Sequence, residues 1–154
     1  FLAIVMDLYS RRIVGWSMDR TMSRYLVIDA LRMAIGCRQP AAGLIHHSDR
    51  GTQYTSHAYQ LLLKAHQVQP SMGKVGSCFD NAAMESFFGS FKSEWLHFQR
   101  LETRQQAMTS SFYYIESFYN RKRLHSANGY LSPLAFEEAS AISMQSDLIT
   151  CPLN

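Results

Sequence analysis

Phe1-Leu-Ala-Ile-Val-Met6 is an unbroken run of six apolar residues, stopped by Asp7. A membrane span needs about 20 such residues, and no basic region or small-residue cleavage site marks a signal peptide. The run is instead β-prone, and residues 1–9 read as a buried strand. Ser10-Arg11-Arg12 makes a short polar turn, and Ile13-Val-Gly-Trp-Ser-Met18 reads as a second strand, giving a hairpin. A buried strand needs a sheet around it and helices over it, so everything downstream is constrained to supply them.

The remaining patterns do so. Residues 23–36 have helical periodicity, with Leu26, Ala30, Leu31, Met33 and Ala34 on one side, Ser23 as N-cap and Gly36 as the stop. Residues 43–48 form a short strand leading into Asp49. Ser56 opens a helix over 57–67, buried through Tyr59, Leu62, Leu63 and His66. Residues 68–72 form a strand that Pro70 confines to an edge. Residues 73–79 form a loop, and Asp80 or Asn81 caps a helix over about 82–97. Another helix runs over about 103–122. Ser132-Pro133 opens a last one through Ala139, and the tail from Ala141 has no clear pattern. Strands alternating with helices predict an α/β fold, made mixed by the initial hairpin.

Composition narrows the classes. At 154 residues, 47% hydrophobic and 18% charged, the chain is sized for one core and is not a disordered segment. Three widely spaced cysteines, Cys37, Cys78 and Cys151, make neither a disulfide framework nor a zinc site, which suits a reducing cytosol. A net charge of +3 decides nothing alone. No Walker loop, GxGxxG or GxSxG occurs.

Three constellations carry possible chemistry. His46-His47-Ser48-Asp49-Arg50-Gly51-Thr52-Gln53-Tyr54 follows a strand directly, and functional groups in open α/β sheets gather at strand carboxyl ends. The plainer reading is a turn cap before the next helix. On a helix from residue 82, Met84, Phe87, Phe88, Phe91 and Trp95 form an apolar stripe. Asn81, Glu85 and Lys92 form a polar one beside it, with Glu85 and Lys92 two turns apart. The plainer reading is a solvated face. Tyr119-Asn-Arg-Lys-Arg-Leu-His-Ser126 sets three cations beside an aromatic, which suits phosphate contact or simply a helix C-terminus.

Taken together and in order, four blocks are far more specific than any one of them. They are Asp7-Leu-Tyr-Ser-Arg-Arg-Ile-Val-Gly-Trp16, His47-Ser-Asp-Arg-Gly-Thr-Gln-Tyr-Thr55, Asp80-Asn-Ala-Ala-Met-Glu-Ser-Phe-Phe88 and Tyr119–Ser126, the last followed by Gly129-Tyr-Leu-Ser-Pro133. Over residues 1 to about 139 the chain resembles the catalytic core of OrfB-type insertion-sequence transposases, of the retroviral-integrase superfamily. The resemblance implies an RNase-H-like mixed sheet flanked by helices, occupying residues 1–140, with 141–154 as a tail. It implies an Asp-Asp-Glu site whose last two members are thirty-five residues apart, as are Asp49 and Glu85 (residues 50–84 lie between). Asp49 and Glu85 are then both catalytic and metal-binding, with Mg²⁺ or Mn²⁺ and two ions in the complete site.

Lys92, seven residues after Glu85, matches a basic residue near the DNA end in relatives. With Arg50, Arg121, Lys122 and Arg123 it is expected to bind DNA. The implied partners are transposon and target DNA, further copies of the chain, and a separate helix-turn-helix protein for end recognition. The expected location is the bacterial cytoplasm, in association with the nucleoid, with no membrane.

In relatives the first Asp lies on the first, central strand, upstream of the block that opens this chain. A start on Phe within a strand is expected of a fragment, which as such is weakly active or inactive. Asp7 belongs to the turn block and is expected to be structural. Without the central strand, residues 1–9 and 43–48 would each face an unpaired edge. Two other readings remain open at this point. One is a DNA-binding remnant without chemistry, using Arg11, Arg12, Arg50, Lys74, Lys92, Arg121, Lys122 and Arg123. The other is a metal-dependent nuclease on the same fold.

Overall fold

The computed structural model describes residues 1–73 and 82–149. Lys74, Cys78, the cap at Asp80 or Asn81, and Cys151 lie outside the described residues. The chain divides into two compact units, Phe1–Met6 with Ile13–His97, and Asp7–Arg12 with Phe98–Asn154.

In the first unit, β1 (Leu2–Met6) and β2 (Ile13–Met18) pair antiparallel, as the hairpin reading requires. The register skips one residue of β2 between the Val5–Gly15 and Met6–Ile13 pairs, a bulge that bends the strand. Helix α1 (Arg24–Arg38) lies across this hairpin so closely that a Cβ on Gly15 would stand 2.2 Å from the Ala30 carbonyl oxygen. Strands β3 (Ile45–Ser48) and β4 (Gln69–Met72) form a second, parallel pair. Between them run a short helix α2 (Thr52–Thr55) and α3 (His57–Ala65). Val27, Ile28 and Leu31 of α1 pack with Tyr59 and Leu63 of α3 and with Val68 as one core cluster, which Ala3 of β1 also touches. Two small sheets thus share helical cover. Within the described residues, β1 bonds only to β2, and β3 only to β4.

Several details depart from sequence expectation. Met33 is exposed, because Leu26, Val27, Ile28, Ala30, Leu31 and Ala34 already fill the buried side of α1. Gly36 does not stop that helix. It sits in open space inside the last turn, and the stop comes at Gln39, whose φ of 43° is left-handed and precedes Pro40. His66 is exposed at the end of α3, where its backbone N–H closes the last turn. Ile45 is 65% exposed, so β3 is not the buried strand its composition predicts. His46, His47 and Ser48 are half-buried, and His46 meets Tyr59 of α3.

The helix after β4 is also not uniform. It is α-helical over Ala82–Ser90 (α4), a wider π-helical turn over Phe91–Trp95, and 3₁₀ over Leu96–Phe98. The Ser93 hydroxyl donates back to the Gly89 carbonyl at 2.9 Å, at the point where the helix widens. The apolar stripe survives. Phe87 and Phe91 are buried and stack at 6.0 Å, with Met84, Phe88 and Trp95 half-buried.

In the second unit, α5 (Arg104–Phe112) starts on a capping box formed by Thr103 and Gln106. A π-helical stretch, Tyr113–Tyr119, follows and buries Tyr114, Ile115 and Tyr119. The predicted single helix over 103–122 thus also changes pitch, since the wider turns lodge these bulky side chains. Helix α6 (Pro133–Ile149) runs ten residues past Ala139, where the sequence pattern fades.

The hairpin turn belongs to this unit. Asp7 accepts from the Tyr9 N–H at 2.9 Å, the turn role its block implies. The fully buried Ser10 hydroxyl donates to Glu137 Oε1 at 2.7 Å, and Arg12 Nη1 donates to Glu137 Oε2 at 2.8 Å. Arg12 is thereby committed to a carboxylate. That weighs against the phosphate role it has in the DNA-binding-remnant reading.

Candidate functional site

Asp49 follows the last residue of β3, at the carboxyl end of a parallel pair. Four hydrogen bonds build its turn. The Gly51 N–H donates to Asp49 Oδ1 at 2.7 Å, closing an Asx turn. The Ser48 hydroxyl donates to the Asp49 carbonyl at 3.1 Å. Arg50 Nε donates to the Gly73 carbonyl at 3.1 Å, while the Gly73 N–H reaches the Ser48 carbonyl at 3.3 Å. Arg50, expected to meet DNA, therefore also clasps the ends of β3 and β4. Asp49 and Arg50 are both exposed.

Beneath this turn lies a polar-aromatic support. His47 Nδ1 and Ser71 Oγ, on directly paired residues, are 3.1 Å apart. His46 Nε2 shares a 2.8 Å hydrogen bond with the Tyr59 hydroxyl, and Tyr54 meets the Tyr59 ring edge-on at 5.5 Å. Burial first, and then the Asp49 carboxylate, raise the Tyr54 phenol above its ordinary pKa, against a smaller opposing pull from Gln53. Burial, with Tyr54 adding, raises the Tyr59 phenol strongly. Both phenols stay protonated near neutrality.

Burial, and then the His47 charge, lower His46 from its ordinary 6.5. The sign of the resulting pH dependence is fixed. Between the lowered folded value and the unfolded one, the unfolded chain binds more protons, so stability rises with pH. It is complete above about 6.5 and is lost as pH falls through the folded value. Thermal melts from pH 7 down to pH 5 are expected to show a falling Tm. His46→Gln is expected to flatten that fall, and equal slopes for variant and parent would contradict the assignment.

Glu85 lies in the first full turn of α4, exposed. Lys92 is exposed within the π-helical turn, so the regular two-turn stacking of Glu85 on Lys92 is replaced by a change of pitch between them. Asp49, Glu85, Arg50 and Lys92 all belong to the first unit. Arg121, Lys122 and Arg123 belong to the second, where Arg121 and Lys122 are exposed and Arg123 lies 6.0 Å from the Tyr119 ring centre. Among the described residues, no three His, Cys, Asp or Glu side chains gather around a common point. The two carboxylates expected from the sequence, Asp49 and Glu85, are both exposed. Hard oxygen ligands of this kind suit Mg²⁺, which keeps several of its waters and completes its shell with substrate phosphate. Sequence reasoning missed the Tyr59–His46 bond and the Arg50–Gly73 clasp. Its only hint was that Tyr54 and Tyr59 sit on the helices directly after the Asp49 block.

Comparison with known proteins bears on family and fold. The profile of a family described as "Integrase core domain" matches residues 1–78, and a second profile of the same description matches residues 85–140. The chain is 46% identical over 138 residues to the transposase for insertion sequence element IS904 of Lactococcus lactis, covering 90% of this chain and 54% of that one. It is 47% identical over 137 residues to transposase InsF for insertion sequence IS3A of Escherichia coli K12, covering 89% and 48% respectively. The chain thus spans about half the length of these relatives. In fold it is similar to the HTLV-2 integrase catalytic core domain solved in complex with magnesium. The TM-score is 0.63 at 14% identity, covering 88% of this chain and 82% of that one. That likeness makes the α/β architecture RNase-H-like, with its sheet divided in two as described. With half of its length under the first profile and the rest of the core under the second, the chain belongs to the integrase core domain family.

Proposed function

We propose that the chain is the greater part of a DNA transposase catalytic core, within a longer protein that cuts and joins transposon ends. The observation that carries this is the placement of Asp49. It is exposed at the carboxyl end of β3, one oxygen fixed by the Gly51 N–H, in a turn clasped by Arg50. Glu85 follows at the spacing the family's chemistry uses. These two carboxylates would hold Mg²⁺ or Mn²⁺, two ions in the complete site. When bound, such ions activate the attacking oxygen and stabilise the leaving one in in-line phosphoryl transfer. The chain's own residues orient the reactants. Arg50 and Lys92 meet phosphates near the site, and Arg121, Lys122 and Arg123 add contacts from the second unit.

The unpaired edges of β1 and β3 support a further element. Among the described residues each strand is hydrogen-bonded along one side only, and one additional strand between them, bearing the first Asp, would complete both sheet and site. Residues 1–140 then form the core and 141–154 an appendage to it. Several copies acting together, a separate helix-turn-helix partner for end recognition, and a cytoplasmic location complete the proposal. No helix among the described residues is long and apolar enough to cross a membrane.

The test gives the full-length protein Mg²⁺ and duplexes ending in the repeats that flank its gene, and resolves products on a denaturing gel. Metal-dependent joined product is expected. Cutting without joining would assign a nuclease. Salt-sensitive binding with no product would assign a DNA-binding protein without chemistry.

A further inference from the structure

Residues 120–134 form a loop closed at two levels. The Leu134 N–H donates to the Asn120 carbonyl at 3.0 Å. Further out, the His125 N–H donates to the Leu131 carbonyl at 3.2 Å and the Tyr130 N–H to the His125 carbonyl at 2.9 Å. Its base is packed. The His125 ring meets the buried Tyr119 edge-on at 4.8 Å, and the buried Asn128 donates to the Ser10 carbonyl at 2.7 Å. Its outer part is neither packed nor acidic. Tyr130 is 70% exposed, Leu124 and Leu131 are exposed, Arg121 and Lys122 are exposed, and no Asp or Glu occurs from Asn120 to Leu134.

Tyr130 has a φ of 62°, directly after Gly129 at the same φ. A bulky residue in the left-handed region is strained, and glycine or asparagine would hold that backbone more cheaply. A mostly exposed ring does not repay the strain through packing. Strain of this kind persists where a side chain is needed for something outside the fold. Cations without acids select a phosphate polyanion, and an apolar side chain on a rigid basic loop is the arrangement that wedges between base steps.

We propose that this loop is a DNA-deforming element, in which Arg121 and Lys122 hold phosphates while Tyr130 inserts against a base step and unstacks it. The inference rests on the DNA-joining reading above, and its test separates the two. The protein is bound at low salt to duplexes carrying 2-aminopurine at successive positions. Fluorescence rises where a base is unstacked.

A rise of several fold at one or two positions is expected for the parent, Tyr130→Phe and Tyr130→Trp. Tyr130→Gly and Tyr130→Ala are expected to lose that rise, with affinity falling roughly tenfold. Tyr130→Gly should also melt no lower than the parent, because it relieves the backbone. Arg121→Ala with Lys122→Ala should weaken binding to all sequences and lower the salt slope by about two. Unchanged fluorescence for Tyr130→Gly, or DNA binding by the parent with no fluorescence rise, overturns the wedge alone. A lowered Tm for Tyr130→Gly would make the ring structural and overturn it too. No DNA binding at low salt overturns both readings.

Discussion

Asp49→Asn and Glu85→Gln, made separately in the full-length protein, are each expected to cut strand transfer about a thousandfold while leaving DNA affinity and melting temperature close to the parent. A metal-held charge in the transition state is worth several kcal/mol, and each 1.4 kcal/mol or so is a factor of ten. Both substitutions are nearly isosteric and fall on exposed side chains. The Asp49→Asn variant should keep the turn, since an amide carbonyl can still accept from the Gly51 N–H that Asp49 now engages at 2.7 Å. In the Glu85→Gln variant the new side chain is as compatible with helix as the old one. Loss of joining would therefore report lost metal-binding charge and not a lost fold. The measurement is joined product per unit time, with anisotropy binding and a thermal melt on the same preparations. Near-parental joining in either variant would remove that residue from the site.

Gly15→Ala is expected to cost about 3 kcal/mol, a large part of what a domain of this size has to lose. The added Cβ would fall 2.2 Å from the Ala30 carbonyl oxygen, 2.7 Å from the Ala34 nitrogen and 2.8 Å from the Ala34 Cβ. Two of these are helix backbone atoms and cannot rotate aside. Helix α1 would have to back away from β2, and it is the same helix that carries Val27, Ile28 and Leu31 into the core cluster. Gly89→Ala is the control. It lies within α4 with nothing within 4 Å of the new Cβ, so it should be neutral or stabilising by up to about 1 kcal/mol. Urea unfolding of the two variants beside the parent decides the matter. Equal midpoints would mean that α1 does not press on the hairpin as described.

Much of this is legible in the amino-acid order alone. Apolar, β-prone runs locate β1 to β3, and among the described residues β4 has a single neighbour, as the edge position suggested by Pro70 expects. The blocks around Asp49 and Glu85 are legible because turn and helix signals surround them locally. What escapes is decided by distant partners. Met33 shares its helical face with Ala30 and Ala34, but the hairpin buries the smaller side chains and leaves Met33 41% exposed at its margin, where its sulfur accepts from the Trp16 N–H at 3.4 Å. Gly36 resembles a stop because glycine often is one, yet the stop depends on the left-handed residue before Pro40. The π-helical turns hold the buried aromatics Phe91, Tyr114 and Tyr119, and no periodicity announces them. The bond from Tyr59 to His46 spans 13 residues, and burial of Tyr59 alone gives no hint of its partner.

The Glu137 contacts carry a consequence for how the molecule is made. Ser10 and Arg12 bond to a residue 127 and 125 positions later, and Asn128 reaches back 118 positions to Ser10. At a ribosomal pace of roughly 5–20 residues per second, the turn at Asp7–Arg12 waits on the order of ten seconds for its partners to emerge. During that interval its strands and α1 are already available to each other. The hairpin can form early, while the second unit closes only once α6 has emerged. Ribosome-bound chains stalled before α6 should therefore hold a protected hairpin and a protease-sensitive aromatic segment, and emergence of α6 should close the turn at Asp7–Arg12 onto Glu137.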